Sequence, residues 1–233
     1  MSLEMSDPTR SGFSVPAIGT ASLSLSEVEA LCLKAARGAG LPWGLAEEAG
    51  FAARWLYARG LHGPEALLEV LDRLDTTARV RVGEDSLRPV SDGQLLPIAV
   101  GAALSDFAGL LPARVAAGPV LRPILLLPFV HQRSQAMAAA LSVTWSEGVV
   151  RVDPDGTLRG DATGLDAVKV AVVTTSPADD RPGADARAPD RAPDRVPLAE
   201  RTLARLNDFA MSTTVPATAA SRADAGSAGT DND

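Results

Sequence analysis

Apolar residues recur at helical spacing over the first third of the chain. Val28, Leu31, Cys32, Ala35, Ala36 and Ala39 stand three or four apart, which places them on one face of a helix. Ser26, with Glu29 three residues on, reads as a capping box that starts this helix, and Gly38 and Gly40 stop it. A second helix is predicted from Pro42–Gly44 to Gly60. Glu47 and Glu48 fall in its first turns and Arg54 and Arg59 towards its end, the order a helix dipole favours. One ridge of it is Leu45, Ala49, Ala52, Ala53 and Leu56, and a second is Phe51 and Trp55. Two apolar ridges predict a helix sandwiched between neighbours. A third helix is predicted to begin at Pro64 and to bury Leu67, Leu68, Leu71 and Leu74, with Glu69 and Arg73 paired on its surface. Residues 26–77 are therefore expected to form three packed helices, with Leu31, Leu56, Leu67 and Leu71 buried.

Beyond the head the period changes. Asp92-Gly93 reads as a turn, and Leu96, Ala99, Val100, Ala103, Leu104, Phe107 and Leu111 continue as one more helix. Ile124–Val130 reads as a buried strand with Pro128 at an edge or bulge. Leu141, Val143 and Trp145 alternate, as do Val150 and Val152, and Asp153-Pro154-Asp155-Gly156 is a hairpin turn signal. Val168, Val170 and Val172 predict a last strand. Helices followed by strands indicate an α+β fold: a three-helix head, a further helix, a small mainly antiparallel sheet, and a C-terminal helix and tail. The expected division is a disordered N-terminus over 1–22, an α+β domain over 23–176 and a disordered linker over 177–196. A docked helix over 197–212 and a small-residue tail over 213–233 complete it. The linker repeats Ala-Pro-Asp-Arg at 188–191 and 192–195, a composition too poor in apolar residues to fold. Pro197 is expected to open the last helix, whose apolar face is Leu198, Leu203, Leu206 and Phe209.

Composition narrows the function classes. Apolar residues make up 46% of the 233, enough for a core, but aromatics are only 4%, so that core is expected to be Leu, Val and Ala. The net charge of −7 and the presence of only two lysines, Lys34 and Lys169, leave no basic stripe for nucleic acid. A single cysteine, Cys32, cannot form an intramolecular disulfide. No basic region with an apolar run opens the chain, and the longest apolar stretch falls far short of the ~20 residues of a membrane helix. A soluble cytoplasmic protein is expected, without membrane or nucleic-acid partners. The preference for arginine over lysine suits a bacterial genome of high GC content.

Candidate chemistry is sparse. Cys32, on the apolar face of the first helix, reads as a small hydrophobe rather than a nucleophile. His62 and His131 are the two histidines, neither with a partner at metal-ligand spacing, so no metal site and no cofactor are expected. His62 reads as a solvated residue after a helix end. His131-Gln132-Arg133-Ser134 reads as a polar loop past a strand, a position that often lines sites. Gly38-Ala39-Gly40 follows a helix and lacks the remaining dinucleotide-binding pattern, so it reads as a helix stop. The acid/base candidates are His131, His62, Glu47 and Asp106. The ligand-binding candidates are Trp43, Arg54, Trp55 and Arg133. Glu47-Glu48 also fits dipole complementation, and Trp43 and Trp55 also fit core packing. Asp231 and Asp233 concentrate negative charge that Arg37 or Arg54 could receive.

Two stretches carry a family resemblance. One runs from Leu25-Ser26-Glu27-Val28-Glu29 through Lys34-Ala35-Ala36-Arg37-Gly38-Ala39-Gly40 and Trp43-Gly44-Leu45-Ala46-Glu47-Glu48-Ala49 to Arg54-Trp55-Leu56. The other is Thr213-Thr214-Val215-Pro216-Ala217, Ala220-Ser221-Arg222 and Thr230-Asp231-Asn232-Asp233. Together they resemble a small bacterial family of the domain-of-unknown-function type, which implies no activity. Its tail tends to be rich in Tyr and Gly, from which Thr214 and Ser227 depart. The helices also resemble the N-terminal helices of the malate/L-lactate dehydrogenase family that lacks a Rossmann fold. There a Ser-His-Gly segment follows the second helix and supplies a catalytic histidine. Here the segment is Leu61-His62-Gly63; the serine is missing and the chain is too short for the rest of that enzyme.

The leading expectation is a protein that binds a small organic acid or amine, or a partner enzyme, as an accessory of a catabolic pathway. The alternative is an enzyme with a dispersed acid/base site, and a third reading is a structural interaction protein.

Overall fold

Small side chains set how closely the helical head packs. In the computed structural model, which describes residues 19–75, 79–178, 186–187 and 195–212, the head is α1 (Leu25–Gly38), α2 (Trp43–Tyr57) and α3 (Gly63–Leu71). Ala35 and Ala36 of α1 and Ala46, Ala49, Ala52 and Ala53 of α2 are wholly excluded from solvent. A Cβ on Gly50 would stand 2.8 Å from the Glu29 carbonyl, so the two helices meet nearly backbone to backbone. Leu56, Leu67 and Leu71 are buried as expected; Leu31, Leu68 and Leu74 are only partly covered, and Val70 fills the core in their stead.

The capping box lies two residues earlier than expected. Ser24 Oγ accepts from Glu27 N at 3.2 Å, and Glu27 Oε2 accepts from Ser24 N at 2.7 Å. The repeated Leu-Ser pair offers two registers. Strand pairing decides between them, because β1 (Thr20–Leu23) holds the chain extended up to the cap by pairing antiparallel with β10 (Val196–Ala199). Residues 20–22 are thus strand within the expected disordered 1–22, of which 1–18 lie outside the described residues. Glu29 instead faces Arg54 at 3.5 Å.

After the head come β2 (Val80–Val82), β3 (Ser86–Pro89), α4 (Pro97–Asp106) and β4 (Val115–Leu121). A 3₁₀ turn at Pro123–Leu126 then runs directly into α5 (Leu127–Met137). The strand expected at Ile124–Val130 is therefore helical. Every residue from Leu121 to Val130 is buried, so no periodicity separates the two readings. Pro123 and Pro128 decide the matter, since both suit the first turn of a helix and both would remove ladder hydrogen bonds from a strand. For the same reason His131-Gln132-Arg133-Ser134 lies within α5 and not in a loop.

The chain continues through β5 (Leu141–Trp145), β6 (Gly148–Val152), β7 (Leu158–Gly160), α6 (Ala162–Ala167) and β8 (Val170–Pro177). The hairpin at Asp153–Gly156 forms as expected, with Asp153 N donating to Thr157 O and Gly156 in the left-handed region at φ +84°. Eight strands make one sheet in the order β2-β3-β4-β8-β5-β6-β7-β9, with β9 the pair Ala186–Arg187. Every pairing between these strands is antiparallel except β3 with β4. The fold is α+β. Within the expected linker 177–196, the described residues Pro177, Ala186–Arg187 and Val196 are strand; 179–185, 188–194 and the tail 213–233 lie outside the described residues.

The last helix starts later than Pro197 suggests. Residues 196–199 are taken by β10, Leu198 is buried there, and α7 runs over Glu200–Met211. α7 packs across α1. A Cβ on Gly38 would lie 1.6 Å from the Phe209 carbonyl, so glycine is required at this crossing. Glu69 does not pair with Arg73; its Oε1 lies 2.6 Å from Lys169 Nζ, which joins α3 to the strand region.

Leu56→Ala is expected to cost about 2–5 kcal/mol in urea unfolding, the range for truncating a fully buried leucine. Gly38→Ala is expected to lift α7 from α1, seen as faster amide exchange over 200–211 while α2 keeps its protection.

Candidate functional site

The two histidines face opposite environments. His62 is the N-cap residue of α3, in the short turn after α2. Its ring Nδ1 lies 2.5 Å from Asp166 Oδ2, and its backbone N–H donates to the same oxygen at 3.3 Å. Asp166 is buried while the His62 side chain is 69% exposed. The carboxylate comes from α6, a six-residue helix whose N-cap, Asp161, accepts from Gly164 N.

Asp166 does not stand alone in the interior. Arg122, 3% exposed, donates from Nη2 to Asp166 Oδ1 at 3.2 Å. Arg122 sits between β4 and the 3₁₀ turn with φ +46°, a left-handed conformation uncommon for a residue with a side chain. Such conformations cost about 1–3 kcal/mol and persist where the surroundings over-determine them. Here the Arg122 amide donates to Lys169 O at 2.6 Å. Arg122 Nη1 stands 4.0 Å from Glu69 Oε1, which also holds Lys169. Charges thus alternate from Lys169 through Glu69 and Arg122 to Asp166, the carboxylate that His62 meets.

This arrangement has a direct chemical consequence. When His62 carries its proton on Nδ1 and donates it to Asp166, Nε2 is left as the acceptor on the exposed side of the ring. A histidine oriented by a carboxylate in this way presents its second nitrogen as a base for proton transfer.

His131, in α5, is used differently. Trp55 Nε1 donates to its Nδ1 at 3.2 Å, which places the ring proton on Nε2, 3.2 Å from the Pro154 carbonyl. Both ring nitrogens are thereby occupied in tying α2 and α5 to the hairpin turn. Burial holds the His131 pKa below its ordinary value, with the Arg59 charge adding to the effect against the Pro154 carbonyl and Asp155. Arg59 lies 3.5 Å over the Trp55 ring and donates to Gly156 O at 3.2 Å. Gly156 has φ +84°, where a side chain is strained, and a Cβ there would also displace Arg59 Nη2, which would lie 2.6 Å away.

The other sequence candidates are dispersed. Glu47 accepts from Trp43 Nε1 at 2.7 Å on the surface of α2, and Trp43 is 60% exposed. Glu47 is in the opening turns of α2 and His62 lies beyond its far end, so the two are not brought together. Asp106 is at the end of α4. Arg54 is at the surface with Glu29, and Trp55 belongs to the His131 cluster. Arg133 is fully buried, donating from Nη2 to Pro112 O at 2.5 Å, and burial lowers its pKa. Burial pushes the Cys32 thiol far up, so it is unreactive. Sequence reasoning missed Asp166, the partner of His62, and Arg122, the partner of Asp166. Asp166 is 104 residues from His62 in sequence, and no spacing or composition marks either residue. Among the described residues no group of three or more His, Cys, Asp or Glu is placed to hold a metal ion. No described helix is long and apolar enough to cross a membrane.

Residues 23–92 match the model of a family described as protein of unknown function (DUF3726). The resemblance of the head to a family of unknown function is thus found independently. The match includes His62 and Glu69 but neither Arg122 nor Asp166. No curated protein matches the chain.

Diethyl pyrocarbonate is expected to modify His62 and to spare His131, as peptide mapping would show. The depressed His131 pKa also fixes a pH dependence. The folded chain favours the neutral ring, so its contribution is present above the unfolded value of about 6.5 and is lost as pH falls through the lower folded value. Glu48 and Glu65, raised first by burial, act with the opposite sign: their contribution is present below the unfolded value and lost as pH rises. His131→Asn can still accept from Trp55 but does not titrate. Between about pH 7 and pH 5 the wild type should lose more urea resistance than this variant.

Proposed function

We propose that His62 and Asp166 form the acid/base centre of an enzyme acting on a small organic acid or amine. The observation that carries this reading is an exposed imidazole whose Nδ1 sits 2.5 Å from a buried carboxylate. A structural histidine is usually satisfied at both nitrogens, as His131 is. His62 is held at one and leaves the other for proton transfer.

Each residue then has a role. His62 Nε2 takes a proton from the bound molecule and returns it. Asp166 holds the ring in one tautomer and balances the positive charge that forms on it. Arg122 acts as a positioning residue, fixing Asp166 from behind without reaching the open face of His62. The Ser-His-Gly resemblance places a catalytic histidine at the same point of the chain. The serine hydroxyl of that pattern is replaced by Leu61, which is 2% exposed, so its contribution is missing here. The expected reading as a metabolite-binding accessory of a catabolic pathway rests on no feature as specific as this pair. The setting we propose is the bacterial cytoplasm, in keeping with a lone, buried cysteine.

Proton transfer can be read without knowing the natural substrate. Small 2-oxo acids, 2-hydroxy acids and amines would be incubated with the protein in D₂O, and C–H exchange followed by proton NMR. The expected outcome is exchange with at least one class, reduced about 10²-fold or more in His62→Gln. Asp166→Asn should slow it as well, with the circular dichroism spectrum of His62→Gln unchanged. Exchange that is absent throughout, or undiminished in His62→Gln, removes the acid/base reading.

A further inference from the structure

α2 is 15 residues long, about 22 Å at 1.5 Å per residue, and its two ends face different surroundings. His62 lies past its C-terminal end. At its N-terminal end a cleft of about 530 Å³ opens between the α1–α2 turn, β2 and α4. That volume falls within the ~300–1,000 Å³ of small-molecule sites. Leu45 and Leu96 line it together with Ala99 and Ala103 of α4. The alanines leave open the space that larger side chains would fill. Val82 and Phe107, 44% and 40% exposed, belong to the same wall, so apolar surface continues from the interior to the solvent. Such surface is normally covered when it has a use.

The charges at the rim are unequal. Asp75, Arg79 and Asp106 line the cleft. Asp75 and Arg79 each already interact within the protein. Asp106 is exposed at the C-terminal turn of α4, the negative end of the helix dipole, and no basic residue occupies that turn. The Asp106 charge is felt by Glu48, a carboxylate that lines a neighbouring depression and not the cleft itself. Negative potential therefore accumulates where the apolar wall reaches solvent. A carboxylate or phosphate ligand would be repelled at that point, and a neutral ligand would gain nothing from it.

We propose that this cleft binds a small amphiphilic amine, its apolar body lying along α4 and its protonated ammonium group at Asp106. The ammonium supplies three donors and a positive charge to a carboxylate with solvent on one side, and the chain lies against Ala99 and Ala103. The site is distinct from His62 and does not depend on the acid/base reading.

Three probes with the same apolar body isolate the head group: hexylamine, hexanol and hexanoate. Their affinities for the full-length protein would be measured at neutral pH by titration calorimetry and amide chemical-shift mapping. Hexylamine should bind about tenfold tighter than hexanol, a difference typical of one charge-assisted contact, and hexanoate should not bind measurably. Shifts should fall on α4 and β2. Asp106→Asn should reduce hexylamine to the level of hexanol. Ala103→Phe should abolish binding of both. Asp106 is exposed, so its variant decides the matter if Ala103→Phe does not fold. Failure of hexylamine to bind, hexanoate binding as tightly as hexylamine, or hexylamine affinity unchanged in Asp106→Asn would each overturn the proposal.

Discussion

Arg122 and Asp166 are both withdrawn from water, and the parts of the protein that meet at them must fit together for either charge to be tolerated. Transfer of two ions into the interior costs several kcal/mol each, and removing one partner from such a pair typically costs about 3–5 kcal/mol. Arg122 follows β4, Asp166 belongs to α6, and Glu69 of α3 and its N-cap residue His62 reach the pair from the head. The helical head and the sheet are therefore joined by a polar contact as well as by apolar burial. Arg122 holds a left-handed backbone at this junction, a conformation that persists where the surroundings over-determine it.

The two histidines illustrate how surroundings, not residue type, assign a role. His131 spends one nitrogen on an indole donor and the other on a carbonyl, which commits it to a neutral form and to the packing of α2, α5 and the β6–β7 turn. His62 spends one nitrogen on a carboxylate and keeps the other open. The first arrangement stabilises, and the second is suited to moving protons. The cleft beside α4 adds a separate capacity at the far end of α2, built from alanines that leave space and a carboxylate that sets the sign of the charge it favours.

Close backbone contacts explain much of the remainder. Gly50 lets α1 and α2 approach, and Gly38 lets α7 cross α1. The β1–β10 pair brackets this helical layer and brings residues near the two ends of the described chain together. Tyr57 completes the arrangement by donating its hydroxyl to the Pro197 carbonyl. α7 then has a defined seat although its own N-cap, Ala199, provides no side-chain hydrogen bond.

Local patterns by themselves determined the three helices of the head, α4, the β5–β6 alternation, the Asp153–Gly156 turn and the α+β class. Each depends on periodicity or turn chemistry confined to a few neighbouring residues. Periodicity could not decide the state of 124–130, because a stretch buried on every side has no period to read, and the helix became plain only in the structure, with Pro123 and Pro128 in opening turns. Tertiary structure decided the start of α1, where pairing with β10 selected Ser24 over Ser26. It also decided the site. His62 was visible as a residue, but Asp166 and Arg122 come to it from 104 and 60 positions away along the chain. An ion pair has no sequence period, and only the folding of the sheet against the head brings its members within hydrogen-bonding distance.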